Sequence, residues 1–288
     1  MRIGFAGVGL MGQGMAENLL RHGHELNVLG HHNRKPVEAL AALGAVEWKD
    51  AAALAAESEA IILCLPNSAV VEAVIESMGR EMRAGQLIID TTTANPESTR
   101  RLHAQLKEKH IALVDAPLAG GPKESKAGQL GALVGATEHD FARAEPLLAC
   151  FCREISWFGP PGSGNTAKLI SNYQVLGTVA VIVETFRLAR EAGIDWKKLY
   201  DVMLCGSGNS LALRRIMDQA VTGDFDGYPF SVANARKDIT YALDLIRSMQ
   251  CTTPLAEAIN DVYVRAAASG DPQRFISQLL AEEFHQHD

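Results

Sequence analysis

Apolar residues in the first half of the chain fall in short runs, separated by longer segments with a helical period. Each run has four to seven residues, is rich in Val, Ile or Leu, and ends in Gly or Pro or, for Gln86–Thr92, in Asp-Thr-Thr, as buried strands do. The runs are Arg2–Gly7, Glu25–Gly30, Ala60–Pro66, Gln86–Thr92 and Ile111–Pro117. Gly12–Arg21 and Pro96–Lys109, between them, have the pattern of amphipathic helices. Apolar strands that alternate with helices predict an α/β fold with a doubly wound parallel sheet.

The pattern changes after Phe158, where the segment GPPGSG interrupts it and no further strand-like run follows. Asn165–Ala192 is predicted to be one long helix, apolar nearly all round, as suits a helix buried among others. Further helices are expected at Trp196–Cys205, Ser210–Thr222, Ala233–Met249, Pro254–Ser269 and Pro272–Glu283. We therefore expect an α/β domain over residues 1–163 and an all-α domain over residues 164–288.

Composition narrows the possible partners. The 288 residues carry a formal net charge of −7, so no broad positive field favours nucleic acid or an anionic membrane. The apolar run Leu169–Val183 contains Ser171, Asn172 and Gln174, and falls short of the roughly 18 apolar residues of a membrane span. The five cysteines are scattered and odd in number, which favours reduced thiols over disulfides or a metal site. We expect a cytoplasmic protein.

A glycine-rich turn follows the first predicted strand. Gly7, Gly9 and Gly12 have the spacing G-x-G-x-x-G and lead into the first predicted helix. In dinucleotide-binding folds the first glycine permits a tight turn, the second lets the pyrophosphate approach, and the third lets helix and strand pack closely. The strand and helix on either side favour dinucleotide binding over the alternative, a plain tight turn.

The turn after the second strand bears on the choice of nicotinamide cofactor. An acidic residue there would bind the ribose 2′-hydroxyl of NAD, whereas an arginine accommodates the 2′-phosphate of NADP. The sequence GHHNRKP offers Asn33, Arg34 and Lys35, with His31 and His32 beside them, and no acid. This favours NADP, with NAD possible. The alternative is a solvated basic turn without a role.

Four motifs occur in the order of a known family. They are GFAGVGLMGQGMAENLL, DAPLAGGPKESKAGQL, GSGNTAKLISN and PFSVANARKD, which begin at Gly4, Asp115, Gly162 and Pro229. With them the chain resembles, over essentially its whole length, the β-hydroxyacid dehydrogenase family, which includes 3-hydroxyisobutyrate dehydrogenase. The resemblance implies a Rossmann domain followed by a helical domain on a long central helix, assembled as dimers or tetramers. It also implies a small carbonyl or hydroxy acid substrate.

The resemblance assigns further contacts. Cofactor contacts are implied at Leu10, Met11, Leu65, Pro66, Asn67, Thr93 and Lys237. Phe230 would line the substrate pocket, and Asp238 would lie near the catalytic lysine and hold its charge and position. Lys-Asp pairs are also common on solvated helix faces, so a structural role for Lys237 and Asp238 stays open.

The third motif carries the candidate catalytic residues. Gly164, Lys168 and Asn172 are spaced four apart and share one helix face, which can face a cleft between the domains. An ammonium beside a substrate carbonyl can stabilise the developing alkoxide and donate a proton to it. Asn172 would orient the amine or bind the substrate. The alternative is a lysine that extends from the first turn to solvent.

One position departs from the family pattern. Ala119 stands where the family usually has a serine that binds the substrate carboxylate. The backbone N–H groups of Gly120 and Gly121 are expected to remain available, with charge from Lys123 or Lys126. Losing one hydrogen bond to a charged group costs about 1.5 to 3 kcal/mol. We therefore expect a larger or less acidic carbonyl substrate.

The sequence thus favours an NADP-dependent oxidoreductase acting on a small 3-hydroxy acid or the corresponding semialdehyde or keto acid. One alternative is an imine reductase on the same scaffold, although the relatives of that kind generally carry another residue at the lysine position. A second alternative is a nucleotide-binding module that has lost catalysis.

Overall fold

The structure is a computed structural model that describes residues 1–30 and 33–281. The chain forms two compact units, Met1–Lys168 and a second that begins at Leu169. The strands are β1 (Arg2–Ala6), β2 (Glu25–Leu29), β3 (Val46–Trp48), β4 (Ala60–Leu63), β5 (Leu87–Asp90), β6 (Ala112–Asp115), β7 (Leu118–Ala119), β8 (Leu130–Gly135) and β9 (Cys152–Gly159). The helices of the first unit are α1 (Gly12–Arg21), α2 (Arg34–Ala42), α3 (Ala51–Ala56), α4 (Ser68–Met78), α5 (Pro96–Glu108), α6 (Pro122–Ala127) and α7 (Glu138–Leu148).

Long helix α8 (Ser163–Glu191) starts in the first unit and continues into the second. The remaining helices are α9 (Trp196–Cys205), α10 (Leu211–Ala220), α11 (Val232–Ser248) and α12 (Pro254–Ala268), followed by a 3-10 helix at Ile276–Ala281. This confirms the prediction of an α/β Rossmann fold followed by an all-α region. A helix over Pro272–Glu283 is wrong for the described residues, since only the 3-10 helix forms there.

The first unit is built on one sheet whose strand order begins β3-β2-β1-β4-β5-β6. All neighbours in this part are parallel, as predicted. The order reverses at β1, which pairs with β2 on one side and β4 on the other. In open α/β sheets, ligands bind outside the carboxyl ends of the strands at such a reversal. The glycine turn after β1 therefore lies where the fold places a ligand.

Both faces of this sheet are covered, which explains why its strands are apolar at successive positions. Ile62 and Ile89 lie in one hydrophobic cluster, whereas Ile61 and Ile88 lie in the cluster on the opposite face. All four are completely buried. The rigid core beneath the carboxyl ends of β1, β4 and β5 supports the loops that follow them.

The sequence did not predict β3, β7, β8 or β9. β3 and β7 have only three and two residues, too few for a recognisable pattern. β9 contains Arg153, Glu154 and Ser156, so it has no continuous apolar run. β8 is antiparallel to β6 and β7 and parallel to β9. The parallel sheet therefore continues into a mixed edge.

The second unit has its own core, in which Leu176, Val179 and Phe186 of α8 are buried. The opposite face of α8 is apolar as well: Ile170, Val181 and Leu188 are 55%, 62% and 54% exposed. Their spacings of eleven and seven residues put them within about 20° of one another around the helix. By length and composition, α8 is also long and apolar enough to cross a membrane. Core helices of soluble proteins pass the same test.

Candidate active site

The glycine turn has the geometry that dinucleotide binding requires. Gly7 has a φ of 103°, and a Cβ there would lie 2.1 Å from the carbonyl oxygen of Cys64. A Cβ on Gly12 would lie 2.0 Å from the carbonyl oxygen of Gly7. At Gly9, in contrast, no atom of the described residues beyond its chain neighbours lies within 4 Å of where a Cβ would be. The first and third glycines thus permit close packing, while the second leaves open space beside the backbone.

The start of α1 adds to this fit. Leu10 is 78% exposed, and Met11 precedes the helix without a side-chain hydrogen bond to its first N–H groups. The first turn contains no acidic side chain, so nothing there opposes a pyrophosphate. A fourth glycine, Gly14, was not among the predicted positions; a Cβ there would lie 2.6 Å from the Ser125 hydroxyl. α1 therefore packs directly against α6 of the substrate motif.

Arg34 has a partner that the sequence did not predict. Its Nη1 and Nη2 donate to the two carboxylate oxygens of Glu47, at 2.6 and 2.8 Å. This hydrogen bonding raises the pKa of Arg34 and lowers that of Glu47. Asn33 precedes α2, is exposed, and makes no capping bond with its side chain. An acid is thus present at this turn, but it comes from β3 instead of the end of β2.

His31 and His32, which stand in the same turn, lie outside the described residues.

Loops after β4 and β5 are joined to each other. The Leu65 N–H donates to the Thr92 hydroxyl at 3.0 Å, and Pro66 beside it is exposed. Asn67 accepts the Val70 N–H through its side chain and so caps α4. Thr93 is half-buried. These residues line the carboxyl edge of the sheet, as their predicted cofactor role requires, but the side chain of Asn67 also has a structural task.

The substrate motif turns sharply between β7 and α6. Ala119 and Gly120 are exposed, and Gly120 has a φ of 116°. The Gly121 N–H donates to Glu124 Oε2 at 2.8 Å, an ordinary contact at a helix start. The expectation that this N–H remains available is therefore wrong, because the side chain of Glu124 in the first turn of α6 already accepts it.

The start of α8 is fixed by a buried carboxylate. Asp115 is completely buried and accepts the N–H groups of Gly162 and Asn165 at 2.7 and 2.8 Å. Burial raises its pKa to about 6, against the opposing effect of these hydrogen bonds and of the Arg100 charge. Asp115 opens the substrate motif, so one residue joins that motif to the helix of Lys168.

Lys168 and Asn172 lie one turn apart on the uninterrupted helix α8, and both side chains are half-buried. In the second unit, Asn172 Nδ2 donates to Asp238 Oδ2 at 2.7 Å. Lys237 Nζ lies 3.1 Å from Asp238 Oδ1, at ion-pair distance but without hydrogen-bond geometry. Phe230 packs against the helical core. Asp238 is therefore bound to Asn172 and Lys237.

A cavity of about 370 Å³ lies between α4 and α5. Glu72, Met82 and Arg101 are among its lining residues, and Glu72 and Arg101 form an ion pair. It contains none of the residues predicted for the site, so it does not mark the active site.

Comparison with known proteins decides the family. One family model, the NAD binding domain of 6-phosphogluconate dehydrogenase, matches residues 2–159. A second, the NAD-binding region of NADP-dependent 3-hydroxyisobutyrate dehydrogenase, matches residues 162–281. The chain belongs to the β-hydroxyacid dehydrogenase family. It is an NAD(P)-dependent enzyme that acts on CH–OH groups of small molecules.

Relatives of this β-hydroxyacid dehydrogenase share nearly its whole length. It is 30% identical to 2-(hydroxymethyl)glutarate dehydrogenase of Eubacterium barkeri, over 97% of this chain and 94% of the relative. The solved 3-hydroxyisobutyrate dehydrogenase of Mycobacterium tuberculosis with L-serine is 28% identical, with a TM-score of 0.86 over 97% and 98% of the two chains. An imine reductase from Pseudomonas shares the fold at 21% identity, with a TM-score of 0.64 over 97% and 98%.

Proposed function

We propose that this enzyme reduces the carbonyl group of a small semialdehyde or keto acid, or oxidises the corresponding 3-hydroxy acid, with Lys168 as the proton donor. The observation that carries the proposal is the glycine turn at the strand-order reversal, with open space at Gly9, in the same compact unit as Lys168. The nicotinamide cofactor supplies or accepts the hydride when it is bound.

The chain's own groups handle the proton and the negative charge. As the substrate oxygen becomes an alkoxide, the Lys168 ammonium stabilises it and donates a proton from Nζ. A neutral Lys168 accepts that proton in the oxidative direction. The Asn172 carboxamide, held by Asp238, is left with its carbonyl oxygen and one N–H to orient the amine or the substrate.

Replacing Lys168 by Met tests this role. We expect turnover to fall at least about 100-fold, while NADPH affinity, measured by fluorescence titration, changes less than about twofold. Lys107→Met is the matched control, because Lys107 lies exposed on α5. Unchanged turnover of Lys168→Met would reject the mechanism.

We further propose that the cofactor is NADP, with Arg34 as the contact to its 2′-phosphate. Its bidentate pairing with Glu47 orients the guanidinium but also neutralises it, so Glu47 would temper the preference over NAD. Arg34→Ala should weaken NADPH binding about tenfold and leave NADH binding unchanged. Glu47→Gln should strengthen NADPH binding alone. Equal effects on both cofactors would remove Arg34 from the 2′-phosphate site.

The substrate loop supports a carbonyl compound that depends little on a carboxylate at this point. Ala119 supplies no hydroxyl, and Glu124 accepts the Gly121 N–H and adds negative charge. In Ala119→Ser and Glu124→Gln, the KM for a semialdehyde acid should fall several-fold, while the KM for its methyl ester should stay constant. Parallel changes for acid and ester would contradict this assignment.

Two other functions remain as alternatives. The fold shared with an imine reductase makes a cyclic imine the necessary comparison substrate beside succinic semialdehyde. Turnover of the imine alone would favour that reaction. A binding module without catalysis would bind NADPH and turn over neither compound.

We also propose a cytoplasmic homodimer or homotetramer that binds neither nucleic acid nor a membrane. The exposed apolar face of α8, formed by Ile170, Val181 and Leu188, supports association with a second copy of the chain. Val181→Asp should reduce the mass measured by light scattering to that of a smaller species. Detergent-dependent solubility would instead favour a membrane contact.

A further inference from the structure

The proposed reaction makes no use of the most deeply buried carboxylate next to the site. Asp115 is 0% exposed, and each of its oxygens accepts one backbone N–H, from Gly162 and from Asn165. A serine or threonine cap has one side-chain oxygen for this purpose, whereas a carboxylate has two. Two acceptors at separate points restrict both the position and the rotation of the first turn of α8.

Keeping this group ionised in the interior is unfavourable for folding. Burial raises the pKa of Asp115 to about 6, and Arg100 on α5 is the cation that opposes the shift. Among the other helix starts that the structure describes, those that use an aspartate, Asp50 and Asp195, keep it exposed. Groups that reduce stability in this way occur preferentially where function requires them.

The same helix turn is tied to the loop after β5. Asn165 is completely buried; its Oδ1 accepts the Ala94 N–H at 2.9 Å, and its Nδ2 donates to the Thr99 hydroxyl at 3.2 Å. Ala94 follows Thr93, the predicted cofactor contact. Asp115 and Asn165 thus connect the start of α8 with the loop after β5 and the end of β6.

Two glycines allow the helix to approach the sheet this closely. A Cβ on Gly164 would lie 2.3 Å from the carbonyl oxygen of Leu133, and one on Gly135 would lie 2.5 Å from Asp115 Oδ1. Backbone therefore packs on backbone at this point, and no flexible side chain lies between them to absorb a shift. Lys168 follows one turn after Gly164 on the same helix.

We infer that Asp115 and Asn165 are positioning residues that fix Lys168 relative to the loops after β5 and β6. The inference rests on the proposed catalytic role of Lys168. Lys168 comes three residues after Asn165, so any rotation or slide of the first turn moves its side chain directly. A displacement of about 1 Å at a reacting group can lower the rate about 100-fold.

Asp115→Asn provides the test, because it preserves size and removes one of the two acceptors. We expect kcat to fall about 10- to 100-fold, with KM and NADPH affinity changed less than about twofold and the melting temperature nearly unchanged. Asn165→Ala, which removes the hydrogen bond to the Ala94 N–H, is the second variant, and its kcat should fall at least about tenfold. Asp50→Asn, a cap of α3 that accepts the Ala52 N–H, is the control and should keep its kcat.

A double variant separates positioning from a general structural effect. The rate of hydride transfer is measured in single turnovers with enzyme in excess. Asp115→Asn should lower this rate when Lys168 is present, but it should lower it by less than about twofold further in the Lys168→Met background, because Asp115 acts through Lys168. Independent, multiplicative losses would overturn the inference, as would an unchanged kcat in both Asp115→Asn and Asn165→Ala. If Lys168→Met alone keeps full turnover, the proposed function fails first and by a separate result.

Discussion

Asp238 provides the sharpest test of the helical part of the site. Its side chain is 3% exposed, accepts a hydrogen bond from Asn172 at 2.7 Å, and lies 3.1 Å from the Lys237 ammonium. Asp238→Ala removes both contacts and leaves the amide of Asn172 without this acceptor. Asp238→Asn keeps the shape and an oxygen that can accept from Asn172, but it removes the charge.

The size of the effect follows from these contacts. A hydrogen bond to a charged group is worth about 1.5 to 3 kcal/mol, and a partly exposed ion pair such as that with Lys237 adds about 1 kcal/mol at most. Asp238→Ala should therefore destabilise the fold by roughly 2 to 4 kcal/mol. In Asp238→Asn the loss should be only about 1 kcal/mol, since the ion pair is its main missing contact.

The catalytic rate should depend more on the hydrogen bond between Asn172 and Asp238 than on the charge of Asp238. If Asp238 orients Asn172, Asp238→Ala should lower kcat/KM roughly 10- to 100-fold, whereas Asp238→Asn should stay within about fivefold. Initial rates at the nicotinamide absorbance and thermal melts measure both quantities. Asp244→Ala, an exposed position on the same helix, is the control. If Asp238→Ala lowers the melting temperature without any loss of kcat/KM, an orienting role for Asp238 is refuted.

Three further predictions concern the first unit. The pKa of Asp115 is raised to about 6 from an ordinary 3.8, so its contribution to stability is fully present below pH 3.8 and is lost as pH rises through 6. Relative to Asp115→Asn, the free energy of unfolding of the wild type should therefore rise by up to roughly 3 kcal/mol between pH 7 and pH 4. Over the same range the kcat ratio of wild type to Asp115→Asn should fall, since protonation removes one acceptor for the start of α8; a flat ratio would contradict this. Gly12→Ala should misfold or melt far lower, because its Cβ meets the Gly7 carbonyl at 2.0 Å, whereas Gly9→Ala should melt normally and bind NADPH at least about tenfold more weakly. Equal melting temperatures for these two variants would show that the packing differs from that described.

Local pattern was sufficient for the elements whose burial is uniform. The strands at Ile61 and Ile88 are apolar on both faces because helices cover both sides of the sheet, and that leaves a continuous run in the sequence. The glycine spacing at Gly7, Gly9 and Gly12 was equally readable, since it reflects backbone geometry within one turn. β9 was missed because a partly exposed edge strand with polar residues leaves no such run. β8 was missed although its sequence LGALVG is apolar throughout.

The candidate site likewise contains residues that local pattern reveals and contacts that it does not. Lys168 and Asn172 became candidates because their four-residue spacing puts them on one helix face and because the segment that carries them resembles the family's catalytic motif. The long-range partners of these segments were not predicted. Asp115 binds the start of α8 through hydrogen bonds to residues 47 and 50 positions later in the sequence, and Arg34 pairs with Glu47, which lies 13 positions later.

The sequence by itself thus determined which residues share a strand or helix face, and with them the fold class and the candidate lysine. Only the tertiary structure decided which buried polar groups satisfy one another, as between Asp115 and the first turn of α8, and which donors remain for a ligand, as at Gly121. The physical reason is that side-chain periodicity is set by neighbours three or four positions away, whereas hydrogen bonds between distant segments exist only once the topology has brought them together.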